Sequence, residues 1–261
     1  MSEVLVGDTV GSMGVAALGM YPFDEVRWAY EHYWAGVHRR APWLPESLTW
    51  LDDLHTSWVD ERLVVGQACG WPLVTQLADR VRVVGAFAPA IPQADGATYR
   101  SVLVSRRAGV PADFRGARAA VNSVDSLSGW VSLVHAVHGP GGRWAGDVQW
   151  TGAHAASVAA VREGSADVAS IDGVTLALLR RHRPTLLAGL VEVGEGPRVP
   201  CLPVIAFRAM SDESLAELRN AMVEATIDPE MADVTAAMAV TGFVPLDFAD
   251  YLPLLDLSPS T

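Results

Sequence analysis

The sequence predicts an α/β protein, and three observations carry that reading. Short apolar runs alternate with helix-period patterns along most of the 261 residues. Half of the residues are hydrophobic and 19% are charged, so the chain folds around a core instead of staying disordered. The length suffices for one large domain or two small lobes. The alternation itself points to mainly parallel strands.

The elements follow in order. VAALGM (15–20) reads as a first strand ended by YPFD, with Asp24 placed to cap a helix from Glu25. In that helix Val26, Tyr30, Tyr33, Trp34 and Val37 share one face. RLVVGQACG (62–70) is a second strand running into a glycine turn, and Pro72 suits the start of a helix. VRVVGAFA (81–88) is a third strand, PAIPQADGA (89–97) a loop, and YRSVLVSRR (99–107) one long strand. VQWTG (148–152) and ADVASID (166–172) are strands flanking a helix. PCLPVIAF (200–207) is strand-like but broken by Pro203. Ser211 opens a further helix, with Ser214 where a capping box would carry Glu. A last helix covers 229–239.

The net charge of −11 repels phosphate backbones and argues against a nucleic-acid partner. Arg180, Arg181, His182 and Arg183 form the one dense basic run, and it reads as a solvated helix C-terminus. Cys69 and Cys201 lie far apart among apolar neighbours, as suits buried thiols. No stretch of about 18 apolar residues exists, so membrane insertion is not expected. The first residues lack a basic start and a cleavage site, so the chain as written reads as cytoplasmic, or as periplasmic or extracellular if a leader has been removed. No Walker loop, H-E-x-x-H, G-x-S-x-G or CxxC pattern occurs. His135 and His138 lie three apart with only Asp125 among nearby carboxylates, so neither a metal nor a cofactor is expected.

One helix start is unusually polar. In AVNSVDSLSGWVSLVHAV (residues 120–137) a short strand ends at Val121, and six polar or turn-forming residues precede an apolar periodic run. The first turn of a helix presents unpaired N–H groups and a positive dipole end. Ser126 and Ser128 add hydroxyls there, and Gly129 would let a ligand approach the backbone, which together describe a small anion cup. The simpler reading is that Ser126 or Asp125 merely caps the helix. TGAHAASVAAVREGSADVASIDGVT (151–175) repeats the build: strand end, small polar turn with His154, helix, Gly164 as cap, and a strand ending at Asp172. A histidine there is also read plainly as a surface residue.

Taken in order, VNSVDSLSG, then TGAHAASVAAVREGSADVASIDGVT, then VPCLPVIAF resemble the phosphonate/phosphite-type substrate-binding proteins of ABC transporters. LGMYPFDEVRWAYEHYW and LVVGQACGWPLV resemble the N-terminal segments of that family's signal-less members, and the likeness covers about residues 13–245. It implies a two-lobed type 2 periplasmic-binding-protein fold. Each lobe would be a mainly parallel sheet flanked by helices, with residues 1–99 and 205–261 in one, 100–204 in the other, and two crossing segments as hinge. Strand C-terminal ends would then aim Tyr21, Gln67, Ser126, His154 and Asp172 at one cleft. By the same resemblance Ser126, Leu127 and Ser128 would grip the anionic group with backbone N–H and hydroxyl donors, and His154 would donate to it. Tyr21 would form a wall, and Asp172 would meet an amine or hydroxyl elsewhere on the ligand. The family commonly carries a hydroxyl where this chain has Leu127, so one donor is missing.

The implied partners are a small anionic or zwitterionic ligand, phosphonate- or phosphate-like, and an ABC permease. Two other functions use the same residues: an enzyme with His154 and Asp172 as acid and base, and an intracellular metabolite sensor.

Overall fold

The computed structural model describes residues 14–51 and 54–260; residues 1–13 of the N-terminal segment read for a leader lie outside them. The chain begins with β1 (Val15–Ala17), α1 (Asp24–Arg40), α2 (Leu54–Trp58), β2 (Leu63–Gln67), α3 (Gly70–Thr75) and β3 (Val81–Pro89). It continues through β4 (Thr98–Tyr99), β5 (Val102–Ser105), β6 (Ala119–Val121), α4 (Ser132–His138), β7 (Val148–Trp150), α5 (His154–Glu163) and β8 (Val168–Ile171). Then come α6 (Gly173–His182), β9 (Val191–Glu195), β10 (Val199–Pro200), β11 (Pro203–Phe207), α7 (Asp212–Ile227), α8 (Ala232–Ala237) and β12 (Val240–Pro245).

Two compact units result. The first holds the chain up to Cys69 together with Thr75–Ala90 and Cys201–Asp250; the second holds Gly70–Val74, Ile91–Pro200 and the chain from Tyr251. The first is built on a sheet of order β1-β2-β11-β3-β12, the second on a sheet of order β7-β6-β8-β5-β9. A two-stranded ribbon of β4 and β10 belongs to the second unit.

The expectation of mainly parallel sheets needs correction, because both sheets are mixed. In the first, only β1 and β2 pair parallel, while β11 lies antiparallel between β2 and β3 and β12 lies antiparallel to β3. In the second, β6 pairs parallel with β7 and β8, but β5 is antiparallel to β8 and β9. β5 and β11, which arrive without a helical crossover, run against both of their neighbours, and β12, although it follows α8, also runs against β3.

Local sequence accounts for the elements. The first turn of α1 carries Asp24 and Glu25 and its last turn His38, Arg39 and Arg40, each charge opposing the end of the helix dipole it meets. Val26, Ala29, Tyr30, Tyr33, Trp34 and Val37 bury its apolar face. Phe23, not Asp24, is the N-cap: its extended backbone turns the chain, and Asp24 already lies within the helix. The expected strand 99–107 is two pieces, interrupted at Arg100, whose guanidinium donates to the Gly196 carbonyl (2.7 Å). Pro203 starts β11 instead of breaking a strand, and its carbonyl accepts from Ala68 N–H (2.9 Å). Ser211 caps α7, accepting from Ser214 N–H (3.1 Å). Cys69 and Cys201 are both buried and not bridged to each other. In the second unit Leu103, Phe114, Val121, Leu133, Val134, Val137 and Val168 form the core on which α4 is seated.

Candidate functional site

β7, β6 and β8 are adjacent and parallel, so the turns that follow them leave the same edge of the second unit's sheet. Those turns begin with Thr151, Asn122 and Asp172 respectively. The polar segments picked out in the sequence therefore converge on one edge.

After β6 the chain winds a single π turn, Leu127–Val131, before α4 begins. The Ser126 carbonyl accepts from both Trp130 N–H (3.0 Å) and Val131 N–H (3.1 Å), and its Oγ accepts from Gly129 N–H (2.9 Å). The plain capping role of Ser126 is thus present, and its hydroxyl proton is left over. Asp125 turns to the Ser123 hydroxyl (2.7 Å). Leu127 is 1% exposed, so only its main chain belongs to the turn's polar rim.

Gly129 has a structural reason within its own unit. A Cβ there would collide with Asn122 Oδ1, so the glycine makes room for a side chain of its own unit. That Oδ1 is itself buried without a hydrogen bond among the described residues.

Ser128 lies at the centre. Its Oγ and His154 Nε2 are hydrogen-bonded at 2.9 Å, and its carbonyl accepts from Ser170 Oγ at 2.6 Å. The residue is buried, and no described backbone or side-chain group accepts from its N–H. His154 opens α5, positioned by Thr151, whose hydroxyl meets Ser157 Oγ (2.7 Å) and the Ala153 carbonyl (3.1 Å). Its Nδ1 is buried without a hydrogen bond of good geometry among the described residues. Burial lowers the His154 pKa below that of a free imidazole, while the Asp172 carboxylate and the Ser170 carbonyl pull it back up.

Asp172 is 3% exposed and caps α6, accepting from Thr175 N–H at 2.9 Å. The second unit thus carries Ser126, Leu127, Ser128, His154 and Asp172. Tyr21 and Gln67 belong to the first unit, where Tyr21 follows β1 and Gln67 ends β2, two strands that pair parallel. Both are buried; Gln67 Oε1 has no hydrogen bond among the described residues, while its main-chain carbonyl accepts from Trp58 Nε1 (2.9 Å). Asn122 and Ser170 escaped the sequence reading. A lone serine within the apolar strand VASI was the only signal for Ser170.

An edge of neutral donors with one carboxylate can hold an oxyanion without compensating cations. The profile of the family described as ABC transporter, phosphonate, periplasmic substrate-binding protein matches residues 65–251, and the chain belongs to that family. Its members are solute-binding proteins, and no curated protein sequence matches this chain. Among solved structures it is similar to PhnD1 of Prochlorococcus marinus in complex with methylphosphonate, at 12% identity and TM-score 0.74, covering 94% of this chain and 96% of that one. It is also similar to XAC2383 of Xanthomonas citri bound to chloride ion, at 15% identity and TM-score 0.68, over 94% and 95% of the two chains. A binding-protein component of an ABC phosphonate transporter from Pseudomonas aeruginosa shares 13% identity and TM-score 0.68, over 94% and 84%. At such identities the likeness is one of fold, the type 2 periplasmic-binding-protein fold. No described helix is long and apolar enough to cross a membrane.

Proposed function

We propose that this protein binds a small oxyanion, phosphonate- or phosphate-like, at the turn 126–129 of its second unit. Ser128 carries the reading. Its N–H is buried and without an acceptor among the described residues, at a helix start where a partial positive charge already sits. A buried donor left unmade costs about 1–3 kcal/mol, so an arriving acceptor recovers that amount. His154 and the Ser126 hydroxyl supply the next donors. Asp172 supplies an acceptor for an amine or hydroxyl on the same ligand. The ligand-loaded form would be delivered to an ABC permease.

Acid–base catalysis by His154 and Asp172 is the weaker reading, because one Asp172 oxygen is already committed to the α6 cap. Titration calorimetry with methylphosphonate and with inorganic phosphate tests the proposal. Binding of either that weakens at least tenfold in Ser128→Ala and His154→Ala supports it. Unchanged binding in both variants, or chemical conversion of the probe, overturns it.

A further inference from the structure

The chain contains no lysine, and its 19 basic residues are all arginines. None lies in 119–142, 144–161 or 163–179, the three stretches that deliver the candidate site. The arginines of these segments sit at the opposite ends of their elements. Arg118 precedes β6 and pairs with Asp167 (2.8 Å), Arg162 ends α5 and meets the Thr185 carbonyl (3.2 Å), and Arg180 lies in the last turn of α6. An oxyanion at Ser128 therefore meets dipoles and one carboxylate, but no fixed positive charge from these segments.

Such a site suits one negative charge and opposes two, because each further charge must be desolvated without a counter-ion. Among the described residues Ser126, Ser128, His154, Ser170 and Asp172, His154 is the one able to supply a counter-charge. Its Nε2 already reaches Ser128 Oγ, its Nδ1 is buried, and the Ser170 carbonyl and the Asp172 carboxylate both act on the ring in favour of its charged form. Those two acceptors are what a second N–H on the ring would require.

The other charged groups on elements packed against α5 do not face the ring. From β5, Arg106 abuts Gly164, just past the far end of α5, and Arg118 donates to the Gly164 carbonyl (3.1 Å). Arg180, Arg181 and His182 close α6, a helix of ten residues that starts beside Asp172. The packed turn Pro184–Leu187 contributes no charged side chain, and Asp125 is held by Ser123.

Resting on the functional reading above, we propose that His154 takes up one proton from solvent as a dianionic head group binds, so that an imidazolium faces the anion. The free protein keeps the ring neutral, which spares it a buried charge. The bound complex carries the proton on the ring, with Nε2–H directed at the head group or at Ser128 Oγ and Nδ1–H toward Ser170 and Asp172.

Titration calorimetry with methylphosphonate tests this, run in two buffers of different ionisation heat at a pH where the free probe is a dianion. The expected result is uptake of about one proton per site, with affinity falling up to about tenfold per pH unit as pH rises further. His154→Gln, checked for folding by its thermal transition, should bind more weakly with no proton uptake and a flat profile. Proton-neutral binding by the unmodified protein, or uptake that persists in His154→Gln because the proton rides on the probe, overturns the inference but leaves oxyanion binding intact. Absence of binding by methylphosphonate and phosphate at every pH overturns the functional reading and the inference with it.

Discussion

Ser128 Oγ lies 2.9 Å from His154 Nε2, a hydrogen bond joining the starts of two helices 26 residues apart in the chain. Both residues stand on the turns after neighbouring parallel strands, so the bond fixes the spacing between those turns. In this bond one of the two atoms donates and the other accepts, so each satisfies the other.

Ser128→Ala removes that bond and leaves His154 Nε2 without its hydroxyl partner. The hydrogen bond is worth about 1 kcal/mol net, so urea midpoints should fall only modestly. Oxyanion affinity should fall by far more, because a hydroxyl donor is lost together with the position of the imidazole. Comparing the two losses separates a binding role from a packing role.

Gly129→Ala drives a Cβ into Asn122 Oδ1. The π turn or the Asn122 side chain must shift, at a cost of about 1–3 kcal/mol. The double variant Asn122→Ala/Gly129→Ala clears the clash and should regain much of that stability. Denaturant melts of the single and double variants measure the coupling; additive losses would mean that Asn122 does not set the requirement for glycine.

Arg118 and Asp167 give a defined acid dependence. The Arg118 guanidinium, with its backbone N–H, holds the Asp167 carboxyl below the ordinary carboxylate value of 3.8. A depressed folded-state pKa stabilises the fold at pH above the unfolded value, and the gain fades as pH falls through the folded one. Both side chains are about a third or more exposed, so solvent screening limits the pair to below about 1 kcal/mol. Asp167→Asn should therefore cost a fraction of 1 kcal/mol at neutral pH, and the difference should close in strong acid. A gap that widens on acidification would contradict the pairing.

The placement of much of the candidate site was legible because strand, turn and helix follow one another in a fixed order. SVDSLSG and TGAH each stand between an apolar run and a helix-period run, which placed Ser126, Ser128 and His154 on strand-to-helix turns without any coordinates. The pairing of strands was not legible, since period-two alternation records which face a residue takes and not the direction of its neighbour. That is why β5 and β11 were read as members of parallel sheets. Asn122 and Ser170 were missed for a related reason: their importance lies in contacts to Gly129 and Ser128, set by tertiary approach. Gly129 was noticed, but its sequence neighbours gave no sign of Asn122 folding back upon it.

Asp172 separates a cap from a ligand contact. Its Oδ1 accepts from Thr175 N–H at 2.9 Å, and this alone would justify an aspartate at the start of α6. Asp172→Asn keeps a carbonyl oxygen for the cap, so stability should change by about 0.5 kcal/mol or less. Asp172→Ala removes the cap and should cost about 1 kcal/mol or more. If the carboxylate also receives an amine, Asp172→Asn should weaken an aminoalkylphosphonate at least tenfold while affecting methylphosphonate much less. Calorimetry with the two probes, beside urea melts of both variants, reads these effects separately. Equal losses for the two probes would leave Asp172 with its capping role alone and remove the ammonium group from the ligand that the site selects.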